Sequence, residues 1–163
     1  MDNTKELIEC MKKMGIDNAE YWSDKEISDN KYATLAMLRF LRPLQKSLDN
    51  YLESHDIWVN SELTRRNSKI SGVLEEMISA GVKTEAIGIL AYWISRMSLN
   101  SVLYRLDDPA GADYDLENEG EDLPRWVLLE QVISKEGNKI NAKLTGRMLA
   151  GMYEVFPFKN PNE

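Results

Sequence analysis

One stretch limits the architecture more than any other. From Glu85 to about Leu106 the chain sets Ile87, Ile89, Leu90, Ala91, Tyr92, Trp93, Ile94, Met97, Leu99, Val102, Leu103 and Tyr104 around a helix with only narrow polar strips. A helix apolar on most of its circumference is normally enclosed by other elements. At about 1.5 Å per residue it spans roughly 33 Å, the diameter of a small domain, and Arg96 at its middle argues against a membrane span. Thr84 precedes it as a capping residue. The expected fold is all-α: a single domain over residues 1–163, built as a helical bundle or irregular orthogonal array of about five to seven helices around this central helix at 84–106.

The remaining periodicities supply the partners. Leu7, Ile8, Met11 and Met14 recur at helical spacing over Thr4 to Met14, and Gly15 is a natural stop. Ile16 to Asp29 lacks periodicity and reads as a connection pinned by buried rings of Tyr21 and Trp22. Met37, Leu41, Leu44, Leu48, Tyr51 and Leu52 predict a long helix from about Asn30 to Ser54, kinked or split at Pro43. An irregular His55-Asp56-Ile57-Trp58-Val59 segment follows. Asn60 or Ser61 then caps a helix to Ala80, stopped by Gly81.

After the central helix comes a loop at 107–123, and Pro124 opens a helix with Leu128, Leu129, Val132 and Ile133 on one stripe. Ile140, Leu144, Met148 and Met152 recur every four residues, predicting a last helix before a C-terminal tail at 157–163. The competing reading pairs Trp126 to Ser134 with Lys139 to Leu144 as a hairpin around Glu136-Gly137-Asn138, because the two periods are hard to separate over short runs.

The loop holds the charge. From Asp107 to Asp122 there are eight acids and no Lys or Arg, so the rest of a chain of formal charge −7 is close to neutral. Cys10 is the single cysteine, which excludes an internal disulfide and a multi-cysteine zinc site. No basic-then-apolar leader opens the sequence, and the expected location is the cytoplasm. A pI near 4.9 argues against charge-driven affinity for nucleic acid or anionic membrane.

Three functional readings follow. The first is a non-catalytic intracellular protein-binding module, an inhibitor, immunity-type or adaptor protein. In it Asp113, Asp115, Glu117, Glu119, Glu121 and Asp122 steer a basic partner while Tyr114, Trp126 and Trp58 add apolar contact. No cofactor is expected. The second is an all-α, divalent-metal-dependent hydrolase of a phosphorylated small molecule. Its weak catalytic candidates are Glu53, His55 and Asp56, since the only histidine stands beside two carboxylates. Asp115, Glu117 and Glu119, with Gly120 behind them, resemble the start of a calcium loop, but Trp126 occupies the position of the closing carboxylate. The third is a helix-turn-helix DNA regulator. Met77, Gly81 and Ile87 have that spacing and Arg65, Arg66 and Lys69 lie upstream, yet the would-be recognition helix offers Ile, Leu, Tyr and Trp in place of base-reading groups.

Overall fold

The computed structural model describes residues 3–65, 68–107, 127–137 and 139–156. Among them are seven helices and one two-stranded antiparallel sheet: α1 (Asn3–Lys13), α2 (Ala19–Ser28), α3 (Thr34–Glu53), α4 (His55–Thr64), α5 (Lys69–Ser79), α6 (Thr84–Asp107), β1 (Leu129–Glu136), β2 (Lys139–Met148) and α7 (Met152–Val155). The loop residues 108–123 and the tail 157–163 lie outside the described residues.

The glycine stops act as their sequence positions imply. Gly15 has φ +74° and Gly81 φ +87°. At the first, Gly15 N–H donates to Lys12 (2.9 Å) and Ile16 N–H to Met11 (3.1 Å); at the second, Gly81 N–H donates to Ile78 (2.9 Å) and Val82 N–H to Met77 (3.0 Å). Both are the left-handed helix end, in which a glycine turns back the chain and the last carbonyls find donors.

Three helical expectations change. Ile16 to Asp29 is not a connection: α2 forms there, entered through Asn18 at φ 55°. The predicted single helix from Asn60 or Ser61 to Ala80 is two helices. The His55 to Val59 segment is the start of α4, because Val59 buries completely against Leu74 and Ile87. Ser68 then caps α5, its Oγ accepting from Ser71 N–H at 2.9 Å. By contrast α3 runs unbroken through Pro43.

The largest correction concerns the all-α class. Residues 129–148 are a β-hairpin, the alternative reading of that stretch, with Val132 opposite Lys143, Ile133 opposite Ala142 and Lys135 opposite Ile140. The physical reason is local: Val132, Ile133 and Ile140 are β-branched, and Gly137 (φ +60°) and Gly146 (φ +83°) adopt a backbone no α-helix contains. The hairpin base is tied to the chain ahead of α3, where Met148 N–H donates to Lys31 and Ala33 N–H to Met148, both at 2.8 Å.

The chain forms two compact units, residues 1–42 with 100–163 and residues 43–99. The first has a core including Met11, Ile16, Met37, Leu38, Leu41, Leu103, Met152 and Phe156. The second is centred on Val59, Leu74 and Ile87, with Trp58, Leu63, Met77 and Val82 packed on it. Within the second unit α6 crosses the end of α3 at Gly88. A Cβ there would stand 2.3 Å from the Tyr51 carbonyl oxygen and 2.7 Å from His55 Cβ, so only glycine allows the approach. The sequence expectation that α6 is enclosed all round does not hold: Ile87, Tyr92 and Leu103 are buried, but Leu90, Trp93 and Ile94 are exposed. By length and composition α6 is long and apolar enough to cross a membrane, and the Arg96 guanidinium lies over the Trp93 ring at 4.8 Å.

Candidate functional site

The first unit contains a groove of about 410 Å³, within the range of ligand sites. α2 presents Tyr21, Trp22 and Lys25 to it, with Tyr21 and Lys25 one turn apart, and Asp29, the extended residue that ends the helix, lines it as well. Buried Ala33, Thr34 and Met37 lie at its base, with Met148 from β2 beside them, and Glu154 and Val155 of α7 close the far side. Tyr32 completes an aromatic set. Tyr21 and Trp22 meet edge to face with centroids 5.0 Å apart, and Lys25 Nζ sits 5.7 Å from the Tyr21 ring centre. A second cleft of about 310 Å³ shares Tyr21, Trp22, Glu154 and Val155 and adds Asp17 and Asn18. Among the described residues, the charged groups lining the two clefts are Asp17, Asp29 and Glu154 against one lysine, Lys25.

A supporting shell of paired charges holds this groove. Arg147 Nη2 lies 2.7 Å from Glu26 Oε1 and Nη1 lies 3.6 Å from Glu130 Oε2. The same guanidinium donates to the Tyr32 carbonyl from Nη2 (2.6 Å) and Nε (3.2 Å), which fixes the backbone that carries the Tyr32 ring. Glu26 Oε2 accepts from Leu35 N–H at 2.8 Å, a carboxylate on the first turn of α3, and Thr145 Oγ1 donates to Glu130 Oε2 at 3.0 Å. These three side chains are only 12–24% exposed, so their attraction is weakly screened.

The acidic run starts beside the groove. Asp107, its first residue, closes α6 and its Oδ2 accepts from Tyr153 N–H at 2.8 Å, next to Glu154. Burial pushes the Asp107 carboxyl up, partly offset by backbone donors of α7. Tyr153 in turn packs edge to face on Tyr104 at 5.2 Å.

The catalytic candidates are arranged otherwise. Thr84 Oγ1 donates to Asp56 Oδ1, and His55 Nδ1 lies 3.3 Å from both of those atoms. The Thr84 hydroxyl, helped by His55, holds the Asp56 carboxyl below its usual value. The contact joins the start of α4 to the start of α6, with Asp56 66% exposed. Glu53 ends α3 and is exposed, and no cluster of three or more metal-ligating side chains occurs among the described residues. Trp58, half-buried, packs on the second unit's core and edge to face on Tyr51 at 5.4 Å. Asp113, Tyr114, Asp115, Glu117, Glu119, Glu121, Asp122 and Trp126 lie outside the described residues, as does Arg66. Met77 and Ile87 flank the α5–α6 turn as core residues of a helical hairpin, and Arg65 is paired with Glu62 at 3.0 Å.

Sequence reasoning missed Lys25, Tyr32, Glu154 and Arg147 entirely. It placed Tyr21 in the interior, whereas that ring is 53% exposed. The signal available was the 21-22-25 spacing, legible only once α2 is recognised as a helix. Compared with known proteins, the chain matches no family model, no curated sequence and no solved structure.

Proposed function

We propose that this protein is a non-catalytic binding module that engages a basic segment of another protein, in the manner of a small cytoplasmic inhibitor, immunity-type protein or adaptor. The observation that carries the reading is the groove: an aromatic, apolar-floored concavity rimmed by Asp17, Asp29 and Glu154, with the root of an eight-acid run at Asp107 beside it. Aromatic walls supply contact area at low entropic cost, and surplus carboxylates favour a cationic occupant. The acidic run adds long-range attraction, which raises the association rate more than the final affinity.

The test uses a fluorescent peptide of about ten residues with alternating basic and apolar side chains. Binding to the full chain weakens at least about fivefold on Tyr21→Ala, the loss expected for a cation-stacking aromatic. Changing Glu117, Glu119, Glu121 and Asp122 to amides slows association and flattens its salt dependence while leaving dissociation nearly unchanged. A peptide that binds equally well to the Tyr21 variant counts against the groove, and unchanged association rates count against steering by the run. Titration calorimetry with magnesium, manganese and calcium tests the competing hydrolase reading; heat that vanishes with His55→Ala favours it instead.

A further inference from the structure

The groove already contains a cation of its own. Lys25 belongs to the same helix as Tyr21, one turn on, and its ammonium lies 5.7 Å from that ring's centre, within the range at which a cation is attracted to an aromatic face. Both residues line the cleft, and among the described residues Tyr21, Trp22 and Tyr32 are the rings around it. No described ion pair holds the Lys25 ammonium there; Asp29, just past the end of α2, accepts at its Oδ1 from Lys31 N–H at 2.8 Å. The lysine is exposed, and its contact with the ring is the weak, solvated kind.

Resting on the groove reading above, we propose that the side chain recognised is arginine, and that it binds by exchange, displacing Lys25 from the Tyr21 face. Two physical differences drive the exchange. A guanidinium is planar and less strongly hydrated than an ammonium, so it stacks on a ring face at lower desolvation cost. It also keeps in-plane donors free while stacked, and Asp29 and Glu154 on the same groove provide acceptors for them. A lysine from the partner brings nothing that Lys25 does not already supply at that position. Lys25 therefore acts as an internal competitor that a second lysine replaces without gain and an arginine replaces with gain.

The experiment compares two ten-residue peptides of identical charge, with arginine or lysine at the same four positions, against wild type, Lys25→Gln and Tyr21→Ala. On wild type the arginine peptide binds about fivefold or more tighter. Lys25→Gln tightens both peptides, and the gain persists at about 0.5 M salt, where the screening length is roughly 4 Å and simple repulsion by Lys25 is largely removed. Equal affinities for the two peptides, or a Lys25→Gln gain that vanishes in high salt, overturn the exchange while Tyr21-dependent binding keeps the groove. Failure of both peptides to bind any of the proteins overturns the groove reading itself. Lys25 is on the surface, so its substitution leaves folding intact, and Tyr21→Phe, which keeps the ring face, retains the arginine preference.

Discussion

Two regions carry ionisable side chains in close contact, and they are built to opposite plans. Around Arg147, carboxylates 12% and 16% exposed converge on one guanidinium that also satisfies the Tyr32 carbonyl, and the product is a fixed wall of a groove. At His55, an imidazole, a 66%-exposed carboxylate and a hydroxyl meet where α4 and α6 begin, and the product is a fastened pair of helix ends. The second set has the residue types associated with chemistry. The first has the supporting layer and the adjoining concavity that a site requires.

The contrast breaks most sharply at Arg147. Arg147→Met leaves Glu26 and Glu130 facing each other without a cation and removes two donors from the Tyr32 carbonyl. Breaking a mostly buried pair on one side costs more than the pair itself contributes, so urea denaturation should show a loss of about 2–4 kcal/mol. Glu26→Gln keeps an acceptor for Leu35 N–H and should lose only about 1 kcal/mol. Comparable losses for both variants would mean that the arginine is not the hub of the shell.

The next effect belongs to the other region. Gly88→Ala pushes a methyl into the Tyr51 carbonyl and His55 Cβ, and overpacking of that kind costs about 2 kcal/mol or more. Gly72, inside α5 with nothing within 4 Å of its added Cβ, makes the control: its alanine variant should gain about 0.5–1 kcal/mol from helix propensity. Thermal melts of the two variants should move in opposite directions. His55→Ala, which removes the ring's contacts with Asp56 and Thr84 but keeps the Cβ at Gly88, leaves peptide binding at the groove unchanged within about 0.5 kcal/mol.

How much of this was legible follows from the range of the forces involved. Gly15 and Gly81 announced their turns because the left-handed helix end is a local event that one residue type serves best. The helix at 84–107 declared itself by sheer apolar length. The hairpin remained one of two readings, since Ile140, Leu144 and Met148 fit a period of four as well as they fit alternate positions in a strand. What decides it includes Met148 pairing with residues 31 and 33, more than a hundred positions away. The groove was hidden for the same reason. Its parts come from residues 21–37 and 148–155, and Arg147 and Glu26 have no sequence pattern that links them. Ala19 to Ser28 defeated the periodicity argument because its faces are both mixed: Tyr21 and Ile27 are exposed while Ser23 is buried.

The smallest effects separate the two regions by sign. Asp107 has its carboxyl raised by burial beside α7, so the folded chain holds that proton more tightly than the unfolded chain does. Its contribution to stability is therefore most favourable at low pH and declines as pH rises from the ordinary aspartate value of about 3.8 through the raised one. Asp56 has its carboxyl lowered by the Thr84 hydroxyl, so the unfolded chain binds the proton more tightly. Its contribution is present above the ordinary value and is lost as pH falls through the lowered one. Melting temperatures of Asp107→Asn and Asp56→Asn, each taken as a difference from wild type between about pH 3 and pH 7, should diverge with rising pH. The Asp107 variant gains on wild type, because the amide still accepts from Tyr153 N–H without a buried charge, and the Asp56 variant falls behind it. If both differences slope the same way, then either Asp107 is as well solvated as Asp56 or the Thr84 hydroxyl does not favour the charged carboxylate, and in both cases the two corners are less distinct than their geometry implies.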